Sequence, residues 1–254
     1  MIKGVIFDLD GTLYRGKKVI DGAAETLERL RNSGVKVLFL TNAATKSREN
    51  VAQKLTNMGL QANKEEVYSS SYFLARYISS KHKGKKVFVV GEQGILDEFR
   101  EAKVECVEER ADIVVVGLDR KFTYEKLAHA LAELRDGAIL IASNKDPTFP
   151  TENSFMPGAG SIVAAIETAS GKEARVVGKP NCYPLELIKE DYGLKNEETV
   201  VVGDRLDTDI KFANCCGIKS VLVLSGVNKK SDIKKDIPDY ILSSVAEFNL
   251  PLYP

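Results

Sequence analysis

The sequence begins with a short apolar run that ends in two carboxylates. Residues 4–7 read Gly-Val-Ile-Phe, which is typical of a strand buried on both faces, and Asp8 and Asp10 follow at once. Because side chains at i and i+2 of an extended chain face the same side, the two acids start out pointing together. At about 4 Å and an effective dielectric of about 20, their repulsion is roughly 4 kcal/mol. A fold that keeps such a pair needs a cation between the acids or a shared proton, unless the segment is only an acidic surface turn.

Composition and charge limit the classes of partner. The 254 residues suffice for one large domain or two smaller ones, and Lys+Arg and Asp+Glu both number 36, so the formal net charge is zero. A chain without net charge gives no electrostatic reason to expect nucleic acid or an anionic membrane as a partner. No apolar run approaches the ~20 residues of a membrane span, and no signal-peptide pattern is present. The expected location is therefore cytoplasmic.

The cysteines give no sign of a metal site. Neither a CxxC pair nor a spacing suited to zinc occurs among Cys106, Cys182, Cys215 and Cys216. We therefore expect reduced and mostly buried thiols. Cys182 could line a pocket because of its neighbours, but nothing in the sequence makes it a nucleophile.

Short apolar strands alternate with amphipathic helices along the chain. This alternation predicts β-α-β units around parallel sheets, that is, an α/β fold. A basic, glycine-containing run at residues 81–86 separates two such series. In the second series we predict strands at residues 87–90 and 113–116 and a helix at residues 124–135. We predict a discontinuous core, residues 1–80 and 176–254, with an inserted α/β cap domain at residues 81–175. Within that domain, residues 144–160 are rich in Pro and Gly and are predicted to form a long ordered loop.

Polar residues follow four of the predicted strands. They are Asp8 with Asp10, Thr41 with Asn42, Lys179, and Asp204 with Asp207 and Asp209. Because parallel strands end at the same edge of a sheet, where α/β proteins bind ligands, we expect these side chains to gather. Hard oxygen ligands in this number suit Mg²⁺, and Lys179 and Thr41 are suited to neutralise a phosphoryl group. Each element alone is weak evidence, and only their joint order points to phosphoryl chemistry.

The order of these elements resembles the haloacid dehalogenase (HAD) superfamily of phosphatases. Its four motifs read here as Asp8-Leu9-Asp10-Gly11-Thr12, Thr41-Asn42, Lys179-Pro180 and Gly203-Asp204-Arg205-Leu206-Asp207-Thr208-Asp209. Within the superfamily, the chain is similar to the NagD-like or p-nitrophenylphosphatase subfamily, which carries a large α/β cap between the second and third motifs. The resemblance covers essentially the whole chain. It implies a doubly wound, Rossmann-like parallel-sheet core with an inserted cap.

The resemblance implies distinct roles for the first two acids. Asp8 would be the nucleophile that forms an aspartyl-phosphate, and Asp10 would be the general acid and then the general base. The carboxylates of Asp8 and Asp204 and the backbone carbonyl of Asp10 would bind Mg²⁺. A free aspartate has a pKa of about 3.9, too low for a general acid at neutral pH, so the surroundings of Asp10 must raise it.

The remaining motif residues are implied to bind substrate. The phosphoryl oxygens would be held by Thr41, Asn42, Ala43 and Lys179, and Asp209 would orient Lys179 or the metal's water ligands. Asp207 is left out, because the family pattern allows many residues there. Residues 144–150 correspond to the family's substrate-specificity loop, so Asn144 and Phe149 are candidate substrate contacts. Relatives specific for pyridoxal phosphate have a His near the position where this chain has Phe149. The Phe indicates a less polar or less discriminating pocket here.

The main prediction is a Mg²⁺-dependent phosphomonoester hydrolase acting on a small phosphorylated metabolite. A phosphotransferase or mutase stays open, because an aspartyl-phosphate can pass to an acceptor other than water. A receiver-type phospho-acceptor domain also combines acids, Thr and Lys on a parallel sheet, but such domains are much shorter and lack a cap insertion. Caps of this kind often pair, which makes a homodimer through the cap an expectation. The physiological substrate is not readable from the sequence.

Overall fold

The computed structural model describes residues 1–150 and 154–252. Strands and helices alternate along them in this order: β1 (Gly4–Phe7), β2 (Tyr14–Arg15), β3 (Lys18–Val19), α1 (Ala23–Asn32), β4 (Lys36–Thr41), α2 (Arg48–Asn57), β5 (Val67–Ser69), α3 (Ser70–Lys81), β6 (Val87–Val90), α4 (Gln93–Glu101), β7 (Ile113–Val116), α5 (Tyr124–Arg135), β8 (Ile139–Ala142), β9 (Thr148–Pro150), β10 (Phe155–Pro157), α6 (Ala159–Ser170), β11 (Arg175–Val176), α7 (Tyr183–Tyr192), β12 (Thr199–Gly203), α8 (Lys211–Cys216), β13 (Lys219–Val223) and β14 (Tyr240–Leu242). In this part of the chain no helix has the length and apolarity that crossing a bilayer requires.

The chain divides into two compact units. The first unit comprises Met1–Thr41, Ala52–Tyr68 and the chain from Lys179 onward, and the second comprises Asn42–Val51 and Ser69–Gly178. These limits differ from the predicted domains, 1–80 with 176–254 and 81–175. Helix α3, which was expected in the core, belongs to the second unit because it packs against α4.

The first unit is built on a six-stranded sheet in the order β14-β13-β12-β1-β4-β5. Strand β1 lies in its middle and pairs in parallel with β12 on one side and β4 on the other. The chain order therefore reverses at β1, and in open α/β sheets ligands bind beyond the strand ends at such a reversal. The doubly wound, Rossmann-like core expected from the sequence is confirmed.

The central strand of this sheet is apolar because both of its faces are covered. Val5, Ile6 and Phe7 are fully buried, and the ring of Phe7 makes an edge-to-face contact with Phe248 at a centroid distance of 5.9 Å. Asp8 is the first residue beyond this strand. Burial of β1 therefore fixes the position of Asp8 at the edge of the sheet.

The second unit has its own parallel sheet and its own core. Four strands lie in the order β11-β8-β7-β6, and the apolar side chains of this sheet pack with those of α5 and α6. The observed bounds of β6, β7 and α5 are those predicted from the apolar periodicity. The alternation of strands and helices therefore identified an inserted α/β unit correctly.

Two local expectations were wrong, and one small element was not predicted. Residues 144–160 are not one irregular loop, because β9 and β10 form an antiparallel ribbon there, although 151–153 lie outside the described residues. The turn after Asp10 contains a small hairpin, β2 with β3, that the sequence did not predict. Cys182 and Cys216 are not reduced, since they form a disulfide, and Cys106 and Cys215 are exposed rather than buried.

Candidate active site

Lys179 is a buried cation at the centre of the polar strand ends. Its side chain is 2% exposed, and its ammonium donates to Asp8 Oδ1 at 2.6 Å, to Asp209 Oδ1 at 2.5 Å and to the carbonyl oxygen of Leu40 at 3.2 Å. Leu40 lies in β4, so the lysine joins the ends of strands that the sequence separates widely. Burial alone would lower the pKa of Lys179, but the carboxylates of Asp209 and Asp8 raise it, and the side chain stays charged.

Asp8 lies directly after β1, at the edge of the sheet in the first unit. Its side chain is 14% exposed, and its backbone N–H donates to the carbonyl of Val202 in β12 at 2.9 Å. Burial raises the pKa of Asp8 well above its usual range, with a further increase from Asp209 and Asp204, while Lys179 acts in the opposite direction. One ammonium therefore does not fully compensate the negative charge at this edge.

Asp204 is enclosed by backbone that approaches very closely. It is fully buried directly after β12, and its Oδ2 accepts from the N–H of Val227 at 2.7 Å. A side chain at Gly11 or Gly226 would collide with the Asp204 carboxylate, so glycine is required at both positions. Burial, and then the charge of Asp209, raise the pKa of Asp204 to about 7.

The second oxygen of Asp204 has a different environment from the first. Within the described residues, Asp204 Oδ1 is a buried atom that receives no hydrogen bond. Carboxylate oxygens of Asp8, Asp204 and Asp209 lie within 4.8 Å of one another. An orphaned buried oxygen in a group of three carboxylates matches the donor set that Mg²⁺ prefers, so these residues fit a divalent cation. The sequence put Asp209 outside the metal ligands, and its oxygen nevertheless belongs to this group.

Asp10 lies apart from the buried acids and has a different partner. Its side chain is exposed on one side, and it accepts a hydrogen bond from the hydroxyl of Tyr14 at 3.1 Å. The crowded surroundings desolvate the carboxyl and raise the pKa of Asp10, while the nearby Lys54 and the Tyr14 hydroxyl hold it down. Asp8 and Asp10 thus meet different surroundings although two residues separate them.

The residues after β4 leave the first unit. Thr41 is the last residue of β4 and is 6% exposed, whereas Asn42 and Ala43 already belong to the second unit. Asn42 is buried and donates to both carboxylate oxygens of Asp146 at 3.1 Å. Asn144 donates in turn to the carbonyl oxygen of Asn42 at 2.7 Å. The segment that follows β4 is therefore tied to the start of the predicted specificity loop.

The sequence reasoning missed two of these residues, and it assigned no role to Asp207. Asp146 had no assigned role, and Tyr14 was not considered, although its spacing of four residues from Asp10 was a usable signal. Asp207 is exposed and pairs with Arg205 at 2.9 Å. Phe149 is half-buried in β9 and pairs with Met156 across the ribbon.

The arrangement is suited to moving a phosphoryl group. Asp8 is a partly open carboxylate that can act as a nucleophile, and Lys179 is a fixed positive charge next to it. Asp10 is a separate carboxyl group that could exchange a proton. A group of carboxylates that could hold a metal ion, a fixed ammonium and a further carboxyl group are the parts that phosphoryl transfer requires.

Comparison with known proteins decides the family. A model described as haloacid dehalogenase-like hydrolase matches residues 5–105, and a HAD-like hydrolase model matches residues 176–248. Three relatives are each 36% identical to this chain. They are 5'-nucleotidase YutF of Bacillus subtilis (97% of this chain and 97% of that protein covered), sugar-phosphatase AraL of the same organism (96% and 91%), and phosphoglycolate phosphatase 1A of Arabidopsis thaliana (98% and 77%). The chain belongs to the haloacid dehalogenase-like hydrolases.

Solved structures narrow the place of the chain in this family. A 4-nitrophenylphosphatase from Thermotoga maritima matches with a TM-score of 0.93 at 33% identity, covering 97% of this chain and 95% of that one. NagD from E. coli matches with a TM-score of 0.91 at 32% identity, covering 98% of both chains. This haloacid dehalogenase-like hydrolase is therefore a phosphatase of the NagD and 4-nitrophenylphosphatase type, as the motif order predicted.

Proposed function

We propose that the chain is a Mg²⁺-dependent phosphomonoester hydrolase that acts on small phosphorylated metabolites through an aspartyl-phosphate on Asp8. The observation that carries the proposal is the position of Asp8 between a buried ammonium, Lys179, and a buried acid, Asp204, whose Oδ1 has no partner among the described residues. Neutral substrates would gain nothing from this concentration of charge. A phosphate dianion would pair with the ammonium of Lys179, and a divalent cation would pair with the carboxylates.

The nucleophile in this proposal is a carboxylate oxygen of Asp8. It forms a bond to phosphorus while the bond from phosphorus to the ester oxygen breaks, and the electron pair of that bond leaves with the ester oxygen. Lys179 is anchored by Asp209 and the carbonyl of Leu40, so it keeps its position while Asp8 changes from free carboxylate to acyl phosphate. A fixed cation stabilises the developing charge without reorganising.

The metal would be held by the carboxylates of Asp8 and Asp204. When bound, Mg²⁺ supplies positive charge that neutralises the phosphoryl oxygens and keeps Asp8 ionised. Gly11 and Gly226 pack so closely against Asp204 that a side chain at either position would collide with its carboxylate. This close packing fixes the carboxylate and excludes water from it. The backbone carbonyl of Asp10 stays in the proposal as a third ligand.

Asp10 is proposed to supply the proton and later remove one. Its raised pKa favours the protonated form in the first half-reaction, when the leaving ester oxygen needs a proton. The carboxylate that results can accept a proton from the water that hydrolyses the acyl phosphate. The same group therefore serves both half-reactions in turn.

The loop at residues 144–150 is proposed to select the substrate. Asn42, Asn144 and Asp146 link the segment after β4 to the loop that carries Phe149, so a change in that loop is transmitted to Asn42, a candidate phosphate contact. Three relatives at equal identity are named for a nucleotide, a sugar phosphate and phosphoglycolate. Overall identity therefore does not choose the substrate, and Phe149 favours a less polar one.

The test is phosphate release from a panel of phosphomonoesters with and without Mg²⁺. The enzyme is expected to lose its activity in EDTA and regain it with added Mg²⁺. Asp8→Asn is expected to lose turnover on every substrate, and Asp10→Asn is expected to accumulate phosphoenzyme from 4-nitrophenyl phosphate, seen by intact-mass spectrometry as one added phosphoryl group. Undiminished turnover by Asp8→Asn, or in EDTA, would overturn the proposal.

Three sequence-based expectations stay predictions. They are the cytoplasmic location, the lack of nucleic-acid and membrane partners, and a homodimer through residues 81–175. Sedimentation of the purified protein, compared with the same chain carrying charged substitutions in that segment, tests the homodimer. A phosphotransferase activity is tested by adding an acceptor alcohol and looking for a new phosphate ester.

A further inference from the structure

Tyr14 is a buried aromatic residue whose polar end reaches the side of Asp10. The residue is 3% exposed, and its hydroxyl donates to Asp10 Oδ2 at 3.1 Å. Two backbone contacts fix the position of this residue. The carbonyl oxygen of Tyr14 accepts from the N–H of Gly11 at 2.8 Å, and β2 pairs Tyr14 with Val19. The hydroxyl therefore has little freedom to leave Asp10.

Asp10 depends on this contact for its orientation. Within the described residues, Tyr14 donates the one side-chain hydrogen bond that Asp10 receives. An exposed carboxylate turns freely about its side-chain torsions, and ordering it has an entropic cost. By comparison, Asp8 is held by Lys179 and Asp204 by the backbone of Val227. Among the acids of this site in the described residues, Asp10 is the one whose side-chain hydrogen bond comes from a tyrosine.

Lys54 lies against the other side of the same tyrosine. Its ammonium is 3.7 Å from the centroid of the Tyr14 ring, a cation–π distance, and it is close enough to Asp10 to stabilise the carboxylate. Lys54 comes from α2 and Tyr14 from the hairpin of β2 and β3, so this contact fixes the hairpin against a helix. Ring, hydroxyl and carboxylate form one ordered chain of contacts.

We propose that Tyr14, held by Lys54, is the positioning residue that aims the Asp10 carboxyl at the leaving oxygen of the substrate. This proposal rests on the function proposed above, in which Asp10 is the general acid. As the bond between phosphorus and the ester oxygen breaks, its electron pair goes to that oxygen, which takes the proton of Asp10. Tyr14 keeps its own proton throughout and exchanges nothing with substrate.

The proposal predicts a dependence on the leaving group. An alkoxide is a poor leaving group and needs the proton of Asp10, whereas 4-nitrophenolate departs as an anion without much help. Losing the orientation of Asp10 should therefore harm alkyl phosphates and largely spare 4-nitrophenyl phosphate. A general loss of folding or of phosphate binding would lower both rates equally, so the ratio of the two separates the explanations.

The experiment compares kcat/KM of Tyr14→Phe for glycerol phosphate and for 4-nitrophenyl phosphate, because kcat/KM covers the steps up to release of the leaving group. General acid catalysis contributes about 10²- to 10⁴-fold, so we expect a loss of about 10-fold or more on the alkyl ester and less than about 3-fold on the aryl ester. Equal losses on both esters, or no loss on either, overturn the proposal.

Tyr68→Phe is the matched control. Tyr68 is equally buried, and its hydroxyl donates to Asp191 at 2.6 Å, so the substitution removes the same type of hydrogen bond from another part of the first unit. It is expected to leave the ratio of the two kcat/KM values unchanged. A change of the ratio equal to that of Tyr14→Phe contradicts a specific role for Tyr14.

Asp10→Asn separates this proposal from the one on which it rests. It should show a larger leaving-group bias than Tyr14→Phe. If Asp10→Asn has no bias, the general-acid assignment fails. If Asp10→Asn has the bias and Tyr14→Phe does not, only the role of Tyr14 fails.

Lys54 gives a second route should Tyr14→Phe not fold. Lys54→Gln removes the charge over the ring and is expected to produce the same bias, about 3-fold, whereas Lys54→Arg keeps a cation there and restores the ratio. A Lys54→Gln variant with the wild-type ratio shows that Lys54 does not hold Tyr14, and the proposal as stated is then overturned.

Discussion

Lys179 and Asp209 form a buried ion pair, with 2.5 Å between the lysine nitrogen and Asp209 Oδ1 and with side chains 2% and 1% exposed. Asp209 also accepts from the backbone N–H of Arg205 at 3.1 Å, so both of its oxygens are engaged. Asp209 therefore balances Lys179 independently of Asp8. In the proposed reaction, Asp8 would therefore become an acyl phosphate without leaving Lys179 as an uncompensated buried cation.

Asp209→Asn tests this balance. Removing one partner of a buried ion pair typically destabilises a protein by about 3–5 kcal/mol, because the remaining charge is left uncompensated. Asp8 still pairs with Lys179 in this variant, so we expect a loss at the lower end of this range, about 3 kcal/mol, in the free energy of unfolding by denaturant, together with a raised KM. Asp207→Asn is the matched control, since Asp207 is 57% exposed and its surface pair with Arg205 is worth about 1 kcal/mol or less. Equal losses in the two variants would contradict the assignment.

Asp204 should make magnesium binding and stability depend on pH. Its pKa in the metal-free fold, about 7 through burial and the charge of Asp209, lies above the value of about 3.9 for an unfolded aspartate. Its contribution to stability is therefore complete below about pH 4 and is lost as the pH rises through about 7. Mg²⁺ replaces the proton, so the increase in Tm caused by Mg²⁺ should grow from about pH 5 to about pH 8.

Differential scanning fluorimetry with and without Mg²⁺ over this pH range provides the measurement. Asp204→Asn carries no titratable group at this position, and its Tm should respond little to Mg²⁺ at any pH. An increase in Tm of the same size at every pH in the unsubstituted protein would speak against competition between the proton and the cation.

The disulfide between Cys182 and Cys216 should stabilise the first unit. It joins residues 34 apart, just before α7 and at the end of α8, and the chain-entropy model gives roughly 4 kcal/mol for a loop of this length. The double variant Cys182→Ser/Cys216→Ser should lower the free energy of unfolding by about 2–4 kcal/mol, and a reductant should do the same to the unsubstituted protein. Cys106→Ser, at an exposed free thiol, is the control. Insensitivity to reductant would show that the bond is absent in solution.

Phe149 should influence the choice of substrate more than the rate of chemistry. Phe149→Ala is expected to change the ranking of kcat/KM values over a metabolite panel while leaving kcat for 4-nitrophenyl phosphate within about 3-fold. Phe155→Ala provides a control in the same ribbon, because Phe155 is 57% exposed and is not a candidate contact. An unchanged ranking in Phe149→Ala, or the same change in both variants, would show that Phe149 has no specific role in substrate selection.

Much of the fold was predictable because its signals are local. Val87–Val90 and Ile113–Val116 are continuous apolar runs, and Tyr124–Arg135 has helical periodicity with Thr123 as its N-cap, so their bounds agree with the prediction. The ribbon of β9 and β10 was missed because three-residue strands next to Pro and Gly carry no clear period. The disulfide was missed because neither spacing nor neighbours indicate that the start of α7 and the end of α8 will meet.

The sequence by itself determined the family, the α/β class and the candidates Asp8, Asp10, Lys179 and Asp204, because buried strands must end in polar residues somewhere and this order of endings is highly specific. Only the tertiary structure decided what each candidate contacts. Three such contacts depend on distances of a few ångströms: the environment of Asp204 Oδ1, which has no partner among the described residues, the second partner of Lys179, and the hydroxyl of Tyr14 on Asp10. Such distances are set by packing between strands and loops that are far apart in the chain.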